Sequence, residues 1–232
     1  MLTKQALGCQ PVWFIEDTWQ GRKLNLNEGD PVSMEQLAEA GLITDPGSAK
    51  GRLLSTAARL FRDKGYSRTT VRDLANELGI LSGSLFHHYP NKEAILQAVI
   101  EESIRRVLAR MQDALAQADS VSDKFRAMLH CESEAIHGLL EPGFVIMVPE
   151  WRHLSKESRT PILVLRTAYE GVWREVLGQM YAEGTIAVEG DLMRHFIRGA
   201  LMETTNWFKA DGKLSPRALE EKLYQAIVRE AA

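Results

Sequence analysis

The sequence predicts an all-α protein. Apolar residues recur at three- and four-residue spacing along most of the 232-residue chain, and no stretch shows the strict alternation typical of β-strands. Glycines and prolines separate these stretches, and capping residues such as Ser and Asn precede several of them. We therefore expect a small N-terminal three-helix domain with a helix-turn-helix, followed by a larger helical bundle.

Shifts in composition divide the chain into three regions. They are an N-terminal extension (1–45), a small helical domain (46–92) and a larger helical domain (93–232). The sequence Asp45-Pro46-Gly47-Ser48 marks the first boundary, because these residues favour turns.

The N-terminal extension is acidic and rich in aromatic residues. It carries Trp13, Phe14 and Trp19, and then a predicted short helix within Ser33–Gly41. Three aromatic side chains so close together indicate packing, either on the protein's own body or on a partner subunit. A contact with an accessory protein is the alternative.

A short amphipathic helix is predicted between Thr70 and Gly79. Thr70 can cap its start, with Asp73 completing a capping box, and Gly79 can end it with positive φ. The apolar residues of its buried face are Val71, Leu74, Ala75 and Leu78. A longer helix precedes it, ends near Gly65 and buries Leu54, Ala57, Ala58 and Phe61.

A second short helix is predicted from Leu81 to Tyr89, after a turn so tight that the two helices cross steeply. Ile80 and Leu85 are expected to be buried. The outward side chains are then Ser82, Gly83, Ser84, Phe86 and His87. Small polar residues with one aromatic suit a helix that enters the major groove of DNA.

Pro90 ends this second helix and Asn91 caps the next one. Lys92 then lies in a first helical turn, where unpaired N–H groups already favour an anion. We expect Lys92 to bind a DNA phosphate.

Charge supports the same location for a DNA interface. Residues 46–92 contain eight Lys or Arg against three Asp or Glu, a net charge of +5, whereas the whole chain has a net charge of −3. Phosphate contacts are therefore expected at one end of the molecule only.

The run from Arg52 to Lys92 resembles the DNA-binding domain of the tetracycline-repressor (TetR) family of bacterial transcriptional regulators. The resemblance is carried by AARLF, KGY, TTVRDLA, LGI and GSLFHHYPNK in this order. It implies a helical homodimer that binds a palindromic operator, with a pocket for a small molecule in the larger domain. It also implies that the last two helices form the dimer interface.

Carried over by motif, the resemblance implies DNA contacts for Thr70, Ser84, His87 and Lys92, to which the outward Ser82 and Phe86 are added. Three residues depart from the family pattern. Leu81 replaces the usual capping Ser, Phe86 replaces the usual Tyr, and Ser82 replaces a frequent Lys or Arg.

Five further helices are predicted in the larger domain. The first runs from Asn91 for about seven turns. The second follows Ser122 and is broken by Pro142-Gly143, and the third spans about Pro161 to Glu183. The fourth contains Met193 to Trp207, and the fifth begins at Ser215-Pro216.

Large side chains and a few polar ones indicate an effector pocket in this domain. The candidate effector-binding residues are Phe144, Met147, Trp151, Arg152, Tyr169, Trp173, Asn206 and Trp207. The segments from Glu150 and from Asn206 are loosely similar to acyl-CoA-responsive regulators of lipid breakdown in the same family. An acyl-CoA or a fatty-acid-like effector therefore ranks first, and a drug-like or aromatic compound second.

His130, Glu134 and His137 share one helical face and are a weak candidate for a zinc or iron site. A solvated or pocket-lining face is the alternative, and we predict no metal and no cofactor.

The sequence contains no nucleophile elbow, no phosphate-binding glycine loop and no paired general acid and base, so we expect a regulator and not an enzyme. The absence of a long apolar run or secretion signal predicts a cytoplasmic protein without membrane contact. A helical interaction module that has lost DNA binding is the alternative function.

Overall fold

The structure is a computed structural model that describes residues 34–137, 142–209 and 211–229. Trp13, Phe14 and Trp19 of the extension lie outside these residues. The predicted all-α class is confirmed, with ten α-helices and no β-strand in the described ranges. The helices are α1 (Met34–Glu39), α2 (Ala49–Lys64), α3 (Val71–Leu78), α4 (Ser82–Leu85), α5 (Lys92–Ala116), α6 (Val121–Ile136), α7 (Pro142–Glu150), α8 (Lys156–Ala182), α9 (Gly190–Trp207) and α10 (Pro216–Ile227).

Helices α2, α3 and α4 form the head of the molecule. The Ser48 hydroxyl accepts a hydrogen bond from the Gly51 amide at 3.0 Å and so caps the start of α2. Phe61 from α2, Leu74 from α3 and Leu85 from α4 are buried together with the start of α5. This small apolar core fixes the angles between the three helices.

Helix α4 is shorter than predicted. It covers only Ser82–Leu85, and turns with hydrogen bonds three residues apart continue to His88. The physical reason is a weak start: no side chain caps the helix at Leu81, and Gly83 disfavours helix. Ile80, predicted to be buried, is 42% exposed because it lies in the turn before α4.

Helix α5 belongs to both the head and the body. Its apolar face is buried from Ile95 to Leu115, and one apolar cluster continues along it from α2 to α9. The domain boundary at residue 92 therefore stays a prediction, because the described core has no gap at this position.

The body packs α6, α7 and α8 against α5, with α9 along α8 and α10 along α6. Helix α8 begins five residues before the predicted start at Pro161. The hydroxyl of Ser155 caps the helix by accepting from the Ser158 amide, and Pro161 lies in its second turn. In the described part of the chain, no helix is both long enough and apolar enough to cross a membrane.

The end of the N-terminal extension packs on the protein's own body, whereas the packing predicted for Trp13, Phe14 and Trp19 stays a prediction. Residues 34–45, which we call the N-terminal arm, place Leu37 and Ile43 against Ala109 in the middle of α5. The Glu102 carboxylate of α5 accepts hydrogen bonds from the Thr44 amide at 2.7 Å and from the Thr44 hydroxyl at 3.3 Å. The arm is therefore anchored by both apolar and polar contacts.

Leu37→Ala should lower the free energy of unfolding by about 2 kcal/mol, because the side chain is 1% exposed and its removal leaves a cavity against α5. Urea unfolding followed by circular dichroism measures the change. The exposed Glu39→Ala on the same helix is the control and should stay close to wild type. Equal stability of the two variants would contradict the docking of the arm.

Candidate DNA interface and ligand cavity

The turn into α3 is held by a capping box. The Thr70 hydroxyl accepts from the Asp73 amide at 3.1 Å, and the Asp73 carboxylate accepts from the Thr70 amide at 2.7 Å. Hydrogen bonds from the Thr70 amide and the Thr70 hydroxyl to the carboxylate lower the pKa of Asp73. Gly79 ends the helix with φ of 66°, which a residue with a Cβ rarely adopts. The chain direction into α4 is thus set by the left-handed turn at Gly79.

Helix α4 and the residues after it present an open surface. Phe86 and His87 are exposed, and Ser82 and Ser84 are half-buried. A Cβ built on Gly83 would meet no atom within 4 Å, so nothing in the described chain covers the outer side of this helix. We call Thr70, Ser82, Ser84, Phe86 and His87 the reading surface.

Lys92 lies beneath the turn between α2 and α3. Its ammonium group donates to the Tyr66 carbonyl at 2.9 Å and to the Thr69 carbonyl at 2.8 Å, and it lies 4.0 Å from the centre of the Tyr66 ring. Burial lowers the pKa of this amine. The sequence did not indicate this role in holding the turn that carries Thr70. Contact of Lys92 with a DNA phosphate stays a prediction.

The same turn is held from the body by the end of α7. The Glu150 carboxylate accepts from the Tyr66 amide at 3.1 Å, and the His153 ring lies 5.0 Å from the Tyr66 ring. Nearby, the Glu93 carboxylate accepts from the Ser155 amide at 2.7 Å. The end of α7 is thus tied to the head, and the start of α8 is tied to α5.

A small cavity of about 30 Å³ lies in the body. Three of its lining residues were predicted from the sequence, namely Phe144, Met147 and Tyr169. The lining residues that are not among the candidate effector-binding residues are Ile104, Glu132, Val148, Arg166, Glu170, Arg194, Arg198 and Met202.

Buried charges surround one side of the cavity. Arg194 lies 2.9 Å from Glu132 and 2.7 Å from Glu170, and the Tyr169 hydroxyl donates to Glu132 at 2.6 Å. Burial opposes ionisation of Arg194, but the two carboxylates and Tyr169 together raise its pKa. Burial and the negative charge of Glu132 raise the pKa of Tyr169.

Two further arginines give this side of the cavity an excess of positive charge. Arg198 approaches Glu170 only to 4.0 Å, and burial together with the charge of Arg198 lowers the pKa of Arg166. Three guanidinium groups thus line the cavity against the two carboxylates of Glu132 and Glu170. An apolar wall with surplus cations suits an amphipathic anion.

The other predicted effector-binding residues do not line this cavity. Trp173 is completely buried beside it, with its ring 4.3 Å from the Arg194 guanidinium. Trp151 and Arg152 belong to the turn that faces the head. Asn206 and Trp207 are exposed at the end of α9. The sequence prediction favoured aromatic residues, whereas α8 and α9 contribute mainly charged residues to the lining, namely Arg166, Glu170, Arg194 and Arg198.

The three candidate metal ligands do not come together. His130 pairs with Glu220 at 3.0 Å and lies 3.6 Å from Glu134, whereas His137 lies 3.2 Å from the Thr204 hydroxyl. No group of three possible metal ligands occurs within the described residues. The three side chains are apart because His137 ends α6 and lies against Thr204 of α9.

A helix-turn-helix head on a helical body with an internal cavity defines a class of ligand-regulated DNA-binding proteins. The family model described as bacterial regulatory proteins of the tetR family matches residues 53–99. A second model, the tetracyclin repressor-like C-terminal domain, matches residues 118–231. The chain belongs to the TetR family of transcriptional regulators, and it is not an enzyme.

One repressor and two solved structures are similar to this chain. The transcriptional repressor KstR2 of Mycolicibacterium smegmatis is 32% identical over 188 residues, which cover 80% of this chain and 91% of the relative. The superantigen PfiT has a similar structure, with TM-score 0.72, 44% identity and coverage of 81% of this chain and 100% of PfiT. AibR in complex with isovaleryl coenzyme A and operator DNA shares the fold, with TM-score 0.69, 24% identity and coverage of 78% and 98%.

Acid should weaken the contact between Glu93 and Ser155. Hydrogen bonds from Ser155 and Ser158 lower the pKa of Glu93, so the stabilisation is complete above the ordinary value of 4.5 and is lost as pH falls through the lowered pKa. Glu93→Gln should cost about 1 kcal/mol of unfolding free energy at pH 7, and the difference from wild type should shrink below pH 4.5.

Urea unfolding at several pH values between 3 and 7 provides the measurement for this prediction. Glu175→Gln, at an exposed position of α8, is the control. A difference between wild type and Glu93→Gln that stays constant across this range would rule out a contribution from the ionised carboxylate.

Proposed function

We propose that this TetR-family regulator is a repressor that binds a palindromic operator as a homodimer and is released by a small hydrophobic effector. The effector is an acyl-CoA or a fatty-acid-like molecule, with a drug-like or aromatic compound as the second candidate. The observation that carries the proposal is the cavity lined by arginines of α8 and α9 and by residues of α7. The C-terminal end of α7 contacts the head through Glu150.

Helix α7 offers a direct connection between the cavity and the head. Phe144, Met147 and Val148 line the cavity, and Glu150 at the end of the same helix accepts the Tyr66 amide. At the other end, a Cβ on Gly143 would lie 2.2 Å from the Ser103 hydroxyl of α5. Because one end is packed this closely, displacement of Met147 by a ligand would move mainly the end that contacts the head.

The size and charge of the cavity restrict the effector. A volume of about 30 Å³ has room for about one water molecule, so an acyl chain can enter only when flexible side chains such as Met147 and Met202 move. Arg166 and Arg198 can pair with a carboxylate or phosphate. A molecule with an anionic end and an apolar end satisfies both requirements.

The relatives support the same class of effector and the same direction of regulation. KstR2 is a repressor, and AibR shows that a protein of this fold binds both a coenzyme A thioester and operator DNA. Repression and binding of a coenzyme A thioester are properties of these proteins, and DNA-binding measurements with an acyl-CoA test both for this chain.

Dimerisation is proposed through α8 and α9. Leu163 of α8 and Phe196 of α9 are 45% and 55% exposed, and these two helices pack against each other, so both offer apolar surface to a partner. Gly171 and Gly199 have no atom within 4 Å of a built Cβ, so a partner helix could approach closely. The resemblance implied α9 and α10 instead, but α10 lies along α6.

The first test is an unbiased selection of DNA from random duplexes, followed by fluorescence anisotropy on the selected operator. Operator binding should exceed random duplex by at least about 10³-fold at matched salt, and a long-chain acyl-CoA should release it. Arg198→Gln should keep operator affinity and weaken the response to the effector about tenfold.

Arg126→Gln is the matched control for this experiment, because Arg126 is an exposed arginine of α6 that pairs with Glu221 and does not line the cavity. No preference for any selected duplex would favour the alternative of an interaction module without DNA binding. Release by aromatic compounds but not by acyl-CoA would select the second effector class.

Phe196→Asp should shift the protein from dimer to monomer in light scattering at micromolar concentration, because a carboxylate would be buried in the proposed interface. Ala226→Asp, at an exposed position of α10, should remain a dimer. The reverse pattern would place the interface on α10, as the sequence resemblance implied.

A further inference from the structure

Leu81 is the most exposed large apolar side chain among the described residues. It is 81% exposed, compared with 55% for Phe196 and Trp207. It lies directly before α4, and Ile80 and Phe86 beside it are 42% and 53% exposed. The head thus carries a small apolar patch next to the half-buried hydroxyls of Ser82 and Ser84.

The Leu81 side chain has no evident role within the described part of the chain. Its backbone carbonyl accepts from the Ser84 amide at 2.9 Å, but the side chain caps nothing and is absent from both apolar clusters. A Ser or Asp at this position would stabilise the start of α4 by accepting a hydrogen bond. An exposed leucine therefore gives up local stability without any compensating contact in the described chain.

We propose that Leu81 determines operator specificity by packing on the 5-methyl group of a thymine in each half-site. This inference rests on the proposed operator binding. The thymine methyl is the main apolar group that the major groove presents, and it distinguishes T·A from the other base pairs. Leu81 adjoins Ser82 and Ser84, so a helix that places those hydroxyls near base edges also brings Leu81 into the groove.

The position of Leu81 favours the thymine methyl over the sugar-phosphate backbone. Leucine has no donor for a phosphate, and the basic residues of the head already supply charge for the backbone. Phe86, at the opposite end of α4, also has no hydrogen-bond donor in its side chain, and we assign it to packing on a DNA sugar.

The test replaces each thymine of the selected operator in turn with deoxyuridine, which keeps base pairing and lacks only the methyl group. Wild-type protein should lose affinity about fourfold per half-site at one thymine position, or about 15-fold when both half-sites of the palindrome are changed. Leu81→Ala should bind the thymine operator more weakly than wild type and show no difference between thymine and deoxyuridine at that position. Its salt dependence should be unchanged, because no phosphate contact is removed.

Two controls separate recognition from folding. Leu81→Ser restores a capping hydroxyl, so it should melt at or above the wild-type temperature and still lose the discrimination. Phe86→Leu is expected to lower affinity for every duplex but to keep the ratio between thymine and deoxyuridine at the Leu81 position.

The proposal on Leu81 is overturned if no thymine position is sensitive to deoxyuridine, or if Leu81→Ala keeps the wild-type sensitivity. Both results are obtained on a duplex that the protein binds specifically, so they leave the repressor proposal intact. Failure to select any duplex would overturn both proposals, and the two kinds of failure are therefore distinguishable.

Discussion

The turn between α2 and α3 is held from two directions, and the placement of the head depends on these contacts. Lys92, from the start of α5, donates to the carbonyls of Tyr66 and Thr69 from one direction. Glu150, from the end of α7, accepts the Tyr66 amide from another. Because Thr70 follows immediately and caps α3, the geometry of the reading surface is set where the body meets the head.

The buried polar groups of this junction are satisfied mainly by backbone atoms. Thr69 is completely buried, and its hydroxyl donates to the Gly65 carbonyl at 2.9 Å. Such hydrogen bonds are costly to break without replacement, so the turn is expected to move as a unit with its neighbours. A shift at the end of α7 would therefore reorient the head as a whole.

Local signals made much of the fold predictable, whereas contacts distant in sequence were not. The capping residues Thr70, Asn91 and Ser215 and the terminating Gly79 act within four residues, and the structure uses all of them as predicted. By contrast, the buried cluster around Arg194 brings together α6, α8 and α9, and no periodic pattern encodes which charges will meet. Lys92 shows the same difficulty. A lysine in a first helical turn can point to solvent or to a neighbouring turn, and the tertiary packing determines which direction the side chain takes.

The charge arrangement of the cavity also bears on how an effector could act. Arg194 is fully engaged by Glu132 and Glu170, so an incoming anion would gain little from it without breaking buried pairs. Arg198, at 4.0 Å from Glu170, forms a much weaker pair and can turn to a ligand at lower cost. An anionic group bound by Arg198 would attract the guanidinium on α9. The apolar part of the same ligand would displace Met147 on α7. If the enlarged cavity and the operator-bound head require different positions of α7, effector and operator must weaken each other's binding by the same factor.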